Sequence, residues 1–121
     1  MNESNQLDPA AMARLQRLGN VEFVCKMIDL FREYAGQKIS EARAAQAAGN
    51  LPGVEKAVHP IKSSAGNVGD RRLQELALQT EDFAKAGQAE AVARSLTELE
   101  LVFAAVDSEL EEKRKTFHPV P

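Results

Sequence analysis

Three stretches of this chain repeat apolar residues at every third and fourth position and then stop at a glycine, and a fourth stretch of the same kind follows. A spacing near 3.6 is the signature of a helix with one buried side, and no alternating, strand-like pattern competes with it. The first stretch spans 21–48 and carries Phe23, Val24, Met27, Ile28, Phe31, Tyr34, Ala35, Ile39 and Ala42 as one stripe, ended by Gly49-Asn50. The second runs from Leu51-Pro52 to about Val68. The third follows Asp70 with Leu73, Leu76, Ala77, Thr80, Phe83 and Ala84 inward and closes at Gly87. The fourth covers 88–112 with Val92, Leu96, Leu99, Phe103, Val106 and Leu110 inward.

Short connections make consecutive helices antiparallel neighbours. The expected architecture is therefore all-α, an up-down-up-down four-helix bundle. Asp8-Pro9 reads as a cap and first helical residue of a further short helix over 9–18, with Met12, Leu15 and Leu18 as its apolar line and Gly19 as its stop. That helix is expected to cap one end of the bundle. The segment 113–121 holds two prolines and no periodicity, so it is expected to be a frayed tail on one domain with its core over 8–112.

Composition narrows the function classes. A chain of 121 residues buries roughly 65% of its unfolded surface, enough to dispense with disulfides or a structural metal. Net charge is -3 with both signs mixed along the chain. No basic stripe follows a phosphate backbone, which argues against nucleic acid. No apolar run has the length of a membrane span, and no secretory signal opens the chain. A cytoplasmic protein is expected, and Met1 with a domain-sized length favours a free-standing one. The lone Cys25 lies among Phe23, Val24, Met27 and Ile28 and reads as a buried apolar residue.

The second helix carries the chemistry. With its residues placed about 100° apart, Val54, Ala57, Val58, Ile61, Ala65 and Val68 fall opposite His59. Glu55, Lys56, Lys62, Ser63 and Gly66 fall on its side. His59 therefore points to water from a polar face. Lys56 and Lys62 stand one turn away on either side, where they would attract an incoming anionic group; by themselves they fit a solvated charged face as well. Gly66, two turns on, leaves a bare patch for a partner's backbone; glycine inside a helix costs about 1 kcal/mol relative to alanine. Pro60 removes a backbone donor and crowds the Lys56 carbonyl, at ~3 kcal/mol, so a local kink is expected there. The other histidine, His118, sits in the proline-containing tail and reads as inert. No Gly-rich phosphate loop or Walker-type lysine is present.

The stretch AVHPIKSSAGNVG, 57–69, resembles the signature of the histidine phosphotransfer family. His59 is followed by an aliphatic residue at Ile61, lysine at Lys62 and glycine at Gly69, and Ala65, Gly66 and Asn67 match a frequent form of it. Leu73, Leu76 and Glu81 resemble the family's next helix, and Leu30-Phe31 through Gly49-Asn50 the preceding one. The likeness covers about 8–110. It departs at Ser63, where the family usually has glycine, and at Pro60.

The resemblance implies a monomeric phosphorelay intermediate with no turnover of its own. His59 would accept a phosphoryl group from one receiver-domain aspartate and pass it to another. Lys62, with Lys56, would offset charge, and Ser63, Gly66 and Glu81 would line the docking surface. It implies no cofactor or metal on this chain, with Mg²⁺ on the response-regulator receiver, and a hybrid sensor histidine kinase upstream. Two alternatives stay open: a module that sequesters a receiver or kinase without transfer, and a purely structural bundle. Glu81 also fits a plain solvated carboxylate.

Overall fold

The computed structural model describes residues 21–117 together with Ala10, Ala13 and Arg17. Four helices follow one another: α1 over Val21–Ala47, α2 over Leu51–Asn67, α3 over Arg71–Lys85 and α4 over Ala89–Phe117. Ala10, Ala13 and Arg17 are helical, but the rest of the short N-terminal helix expected over 9–18, with its apolar line, lies outside the described residues, as does His118.

The three turns use one device. Each of the first three helices ends at a glycine with positive φ: Gly49 at 71°, Gly69 at 79° and Gly87 at 73°. The next residue then donates back across the turn, Asn50 to the Ala45 carbonyl, Asp70 to Ala65 and Gln88 to Phe83, at 2.8–3.0 Å. This satisfies carbonyls that a helix end leaves without partners and reverses the chain within a few residues. Two of those residues also cap the next helix. The Asn50 side chain accepts from the Gly53 N–H and the Asp70 side chain from the Leu73 N–H, both at 3.0 Å.

The reversals make the helices antiparallel, and α1–α2, α2–α3, α3–α4 and α4–α1 pack as a closed ring. The core is the apolar side of each helix: Ile28, Ala35 and Ile39 of α1, Val54, Val58 and Ile61 of α2, Leu73 and Ala77 of α3, and Leu96, Leu99 and Leu110 of α4. Cys25 is buried, as expected. Phe23 and Tyr34 lie at the edges of the α1 stripe and are 39% and 41% exposed. Tyr34 there takes the Lys38 ammonium over its ring. Two hydroxyls meet inside the bundle: Thr80 and Ser95 lie 2.8 Å apart, and Thr80 also donates to the Leu76 carbonyl. No described helix is long and apolar enough to cross a membrane.

α4 does not end at Glu112 as the sequence suggests; it continues to Phe117. The reason is tertiary. Arg114 makes a two-pronged pair with Asp29 of α1 at 2.7 and 3.0 Å, and Cys25 points its thiol at the Arg114 carbonyl. Arg32–Asp107 and Arg43–Glu100 continue the same seam.

Asp70 is fully buried and its second carboxylate oxygen has no hydrogen-bond partner. Burial pushes its carboxyl up, against the opposing pull of the Leu73 N–H. Asp70→Ala removes the cap and is expected to lower stability by about 1 kcal/mol. Asp70→Asn keeps a capping oxygen while deleting the buried charge, so urea unfolding at neutral pH should rank it at or above wild type. An Asn variant as weak as Ala would show that the ionised carboxylate itself is needed.

Candidate functional site

α2 runs unbroken through Pro60 from Leu51 to Asn67, and its outer face is the one the helical wheel assigns. The apolar residues Val54, Ala57, Val58, Ile61 and Ala65 are buried. The His59 side chain is 66% exposed. Lys56 and Ser63 are exposed beside it. A shallow recess lined by Pro52, Glu55, Lys56, His59 and Glu81 lies along one edge of the imidazole.

The decisive contact comes from α3. Glu81 is 2% exposed and reaches across to His59, placing Oε2 2.5 Å from Nδ1. Its other oxygen lies 2.5 Å from the Lys62 ammonium, and Lys85, one turn further along α3, stands 4.0 Å from Oε2. Burial alone would push the Glu81 carboxyl up. The ion pair with Lys62 and the hydrogen bond to His59, together with their charges, outweigh it and hold the group below the usual carboxylate range. Glu81 is therefore ionised at neutral pH. An ionised carboxylate only accepts hydrogen bonds, so the ring nitrogen facing it carries the proton. In the neutral ring, the lone pair is then left on Nε2, the edge away from Glu81.

The arrangement is an exposed imidazole with its tautomer fixed, which is what a nucleophile at this position needs. One ring nitrogen is anchored to a buried anion, and the other is free for a partner's electrophile. Two lysines surround the anion, so the cluster of Glu81, Lys62 and Lys85 keeps a net positive charge beside the ring.

Several site residues sit differently from their sequence reading. Glu81 is no solvated carboxylate; it is the buried hub of the site. Lys62 is committed to Glu81 instead of standing free beside the ring. Gly66 is not bare, because the Gln74 side chain of α3 lies across it and donates to the Lys62 carbonyl at 3.1 Å. A Cβ added at Gly66 would meet that amide nitrogen at 2.8 Å. Lys85 and Gln74 escaped the sequence reading. Their only local signal is spacing: Lys85 is four residues after Glu81, and Gln74 is seven before it.

Residues 26–111 match the family model described as Hpt domain. The chain belongs to the Hpt domain family. Hpt domains carry phosphoryl groups in phosphorelays and exchange them with receiver domains and histidine kinases, so this chain is a histidine phosphotransfer protein of a phosphorelay. Solved structures agree on the fold. Histidine-containing phosphotransfer protein B (HptB) from Pseudomonas aeruginosa PAO1 is 22% identical, with a TM-score of 0.87 over 93% of this chain and 96% of that one. A putative histidine-containing phosphotransfer protein from rice is 20% identical, with a TM-score of 0.83 over 93% of this chain and 82% of that one. No curated protein matches the chain.

Proposed function

We propose that His59 is the phosphoacceptor of this Hpt protein, taking a phosphoryl group on Nε2 from a receiver-domain aspartate and returning it to another. The observation that carries this reading is an imidazole 66% exposed to solvent whose inner nitrogen is held by a 2% exposed carboxylate. Phosphoryl transfer goes through a loose transition state in which alignment and charge neutralisation do most of the work. The anchored ring supplies the alignment. Lys62 keeps Glu81 ionised and in place, while Lys56 and Lys85 supply positive charge near the oxygens. Ser63 belongs to the surface the partner covers, and Gly66 borders it beneath the Gln74 side chain. Mg²⁺ is assigned to the receiver, a hybrid sensor kinase stands upstream, and the protein works as a cytoplasmic monomer.

The test is incubation with a phosphorylated receiver domain and detection of acid-labile phosphate on the chain. Wild type is expected to take label and His59→Gln to take none, with the helical circular dichroism of both unchanged. Label that survives His59→Gln places the acceptor elsewhere. Wild type that binds several receivers and accepts from none would be a sequestering module instead.

A further inference from the structure

The position of Glu81 bears on what happens after phosphate arrives. A histidine phosphorylated on Nε2 exists in two forms. With a proton on Nδ1 the ring is cationic and leaves as neutral imidazole. Without it the ring must leave as an anion, and the N–P bond holds. Because the transition state is loose, the quality of the leaving group governs how readily the phosphoryl moves on.

We propose that Glu81 keeps phospho-His59 protonated at Nδ1, so that this protein holds its phosphoryl group in a form ready for immediate discharge instead of long storage. This rests on His59 being the carrier. The geometry supplies three reasons. The Oε2–Nδ1 distance is 2.5 Å, so loss of the proton would set a ring lone pair against carboxylate lone pairs. Glu81 is 2% exposed, so water does little to screen its attraction for the cationic ring. Lys62 at 2.5 Å and Lys85 at 4.0 Å hold Glu81 ionised, so the carboxylate does not capture the proton for itself. The charged groups around the ring are Glu55, Lys56 and Lys62 of α2 and Glu81 and Lys85 of α3. Of the two carboxylates, Glu81 is the one bonded to Nδ1.

The transfer then needs no proton movement on the ring. The Nε2 lone pair attacks phosphorus and the N–P bond forms. The P–O bond to the donor aspartate breaks, and its electron pair leaves with the carboxylate. The Nδ1 proton stays on the Glu81 hydrogen bond throughout. Discharge to an acceptor aspartate reverses each of these changes.

Phosphoramidate, a small phosphodonor that needs no protein partner, provides the test. Wild type, Glu81→Gln and His59→Gln are treated with it, and phosphate loss is followed over a range of pH. Wild type is expected to keep discharging fast to higher pH than Glu81→Gln, with the profiles separated by about 1 pH unit or more, as for an opposite charge at contact distance. Near pH ~8 the Gln variant should hold its phosphate several-fold longer. Ring ¹⁵N shifts of phosphorylated wild type give a second readout independent of any variant. They should show Nδ1 protonated to higher pH than in the same phosphorylated chain unfolded in urea. Coincident profiles, or ring shifts that titrate as in urea, overturn the role of Glu81 while leaving the carrier intact. Wild type that takes no label on His59 removes the carrier reading and this inference with it.

Discussion

Lys62→Met is expected to destabilise the bundle by roughly 3 kcal/mol at neutral pH, the lower end for stripping one partner from a buried ion pair. The lower end applies because His59 and Lys85 still face Glu81. The penalty should depend on pH in a defined sense. In wild type the Glu81 carboxyl is held below the usual range. A group lowered on folding contributes stability that is complete above its unfolded value and is lost as pH falls through the folded one. Without Lys62 the carboxyl loses part of what offsets its burial and moves up from its wild-type position, so the variant is penalised most where Glu81 must stay charged. At about pH 3 the carboxyl is largely neutral in the variant, and the gap between the two proteins should shrink to a fraction of its neutral value. Urea unfolding at both pH values measures this. Adding Glu81→Leu to Lys62→Met should recover most of the loss, since a buried pair replaced whole by apolar groups is often neutral. A penalty that is the same at both pH values would mean that Lys62 acts through the packing of its aliphatic stem.

That result would also explain why the sequence discloses half of the site. His59, Lys56, Lys62 and Ser63 share one helix, and their common face follows from 100° steps along it. Glu81 is 22 residues from His59, and its side chain meets the ring only because α2 and α3 pack antiparallel in one register. The sequence of α3 places Glu81 beside the buried line of Leu73, Ala77 and Thr80, but gives no reason for a carboxylate to be drawn inward. The reason lies on α2, in the lysine that compensates it. The end of α4 is the same case on a larger scale. Locally, Lys113 to Phe117 has no apolar spacing, and the helix persists because Arg114 finds Asp29, 85 residues earlier. The turns are the opposite case. Gly49, Gly69 and Gly87 stop their helices through backbone conformation alone, so their positions are legible without knowing what packs where. Phe23 and Tyr34 mark the limit of the periodic signal. A wide stripe has edges, and periodicity does not say which edge residue the neighbouring helix covers.

Pro60→Ala should stabilise the protein by about 2 kcal/mol, an unusual gain for one substitution next to a functional residue. Proline inside a helix costs ~3 kcal/mol through its missing N–H and its crowding of the carbonyl four residues back. Alanine returns up to about 1 kcal/mol of that by enlarging the freedom of the unfolded chain. The site is suitable for the comparison because α2 already passes through Pro60 without a break, so alanine has a helical backbone to adopt. The thermal midpoint should rise by roughly 8 °C. An unchanged midpoint would mean that the Lys56 carbonyl has found another donor and that the helix has relaxed around the ring. The phosphorylation assay on the same variant carries the functional half. Phosphate uptake equal to wild type would make Pro60 a tolerated defect. A more stable protein that takes up phosphate several-fold more slowly would assign Pro60 a purpose, because it directly follows the histidine and any change of the α2 backbone there re-aims His59 relative to the carboxylate that anchors it.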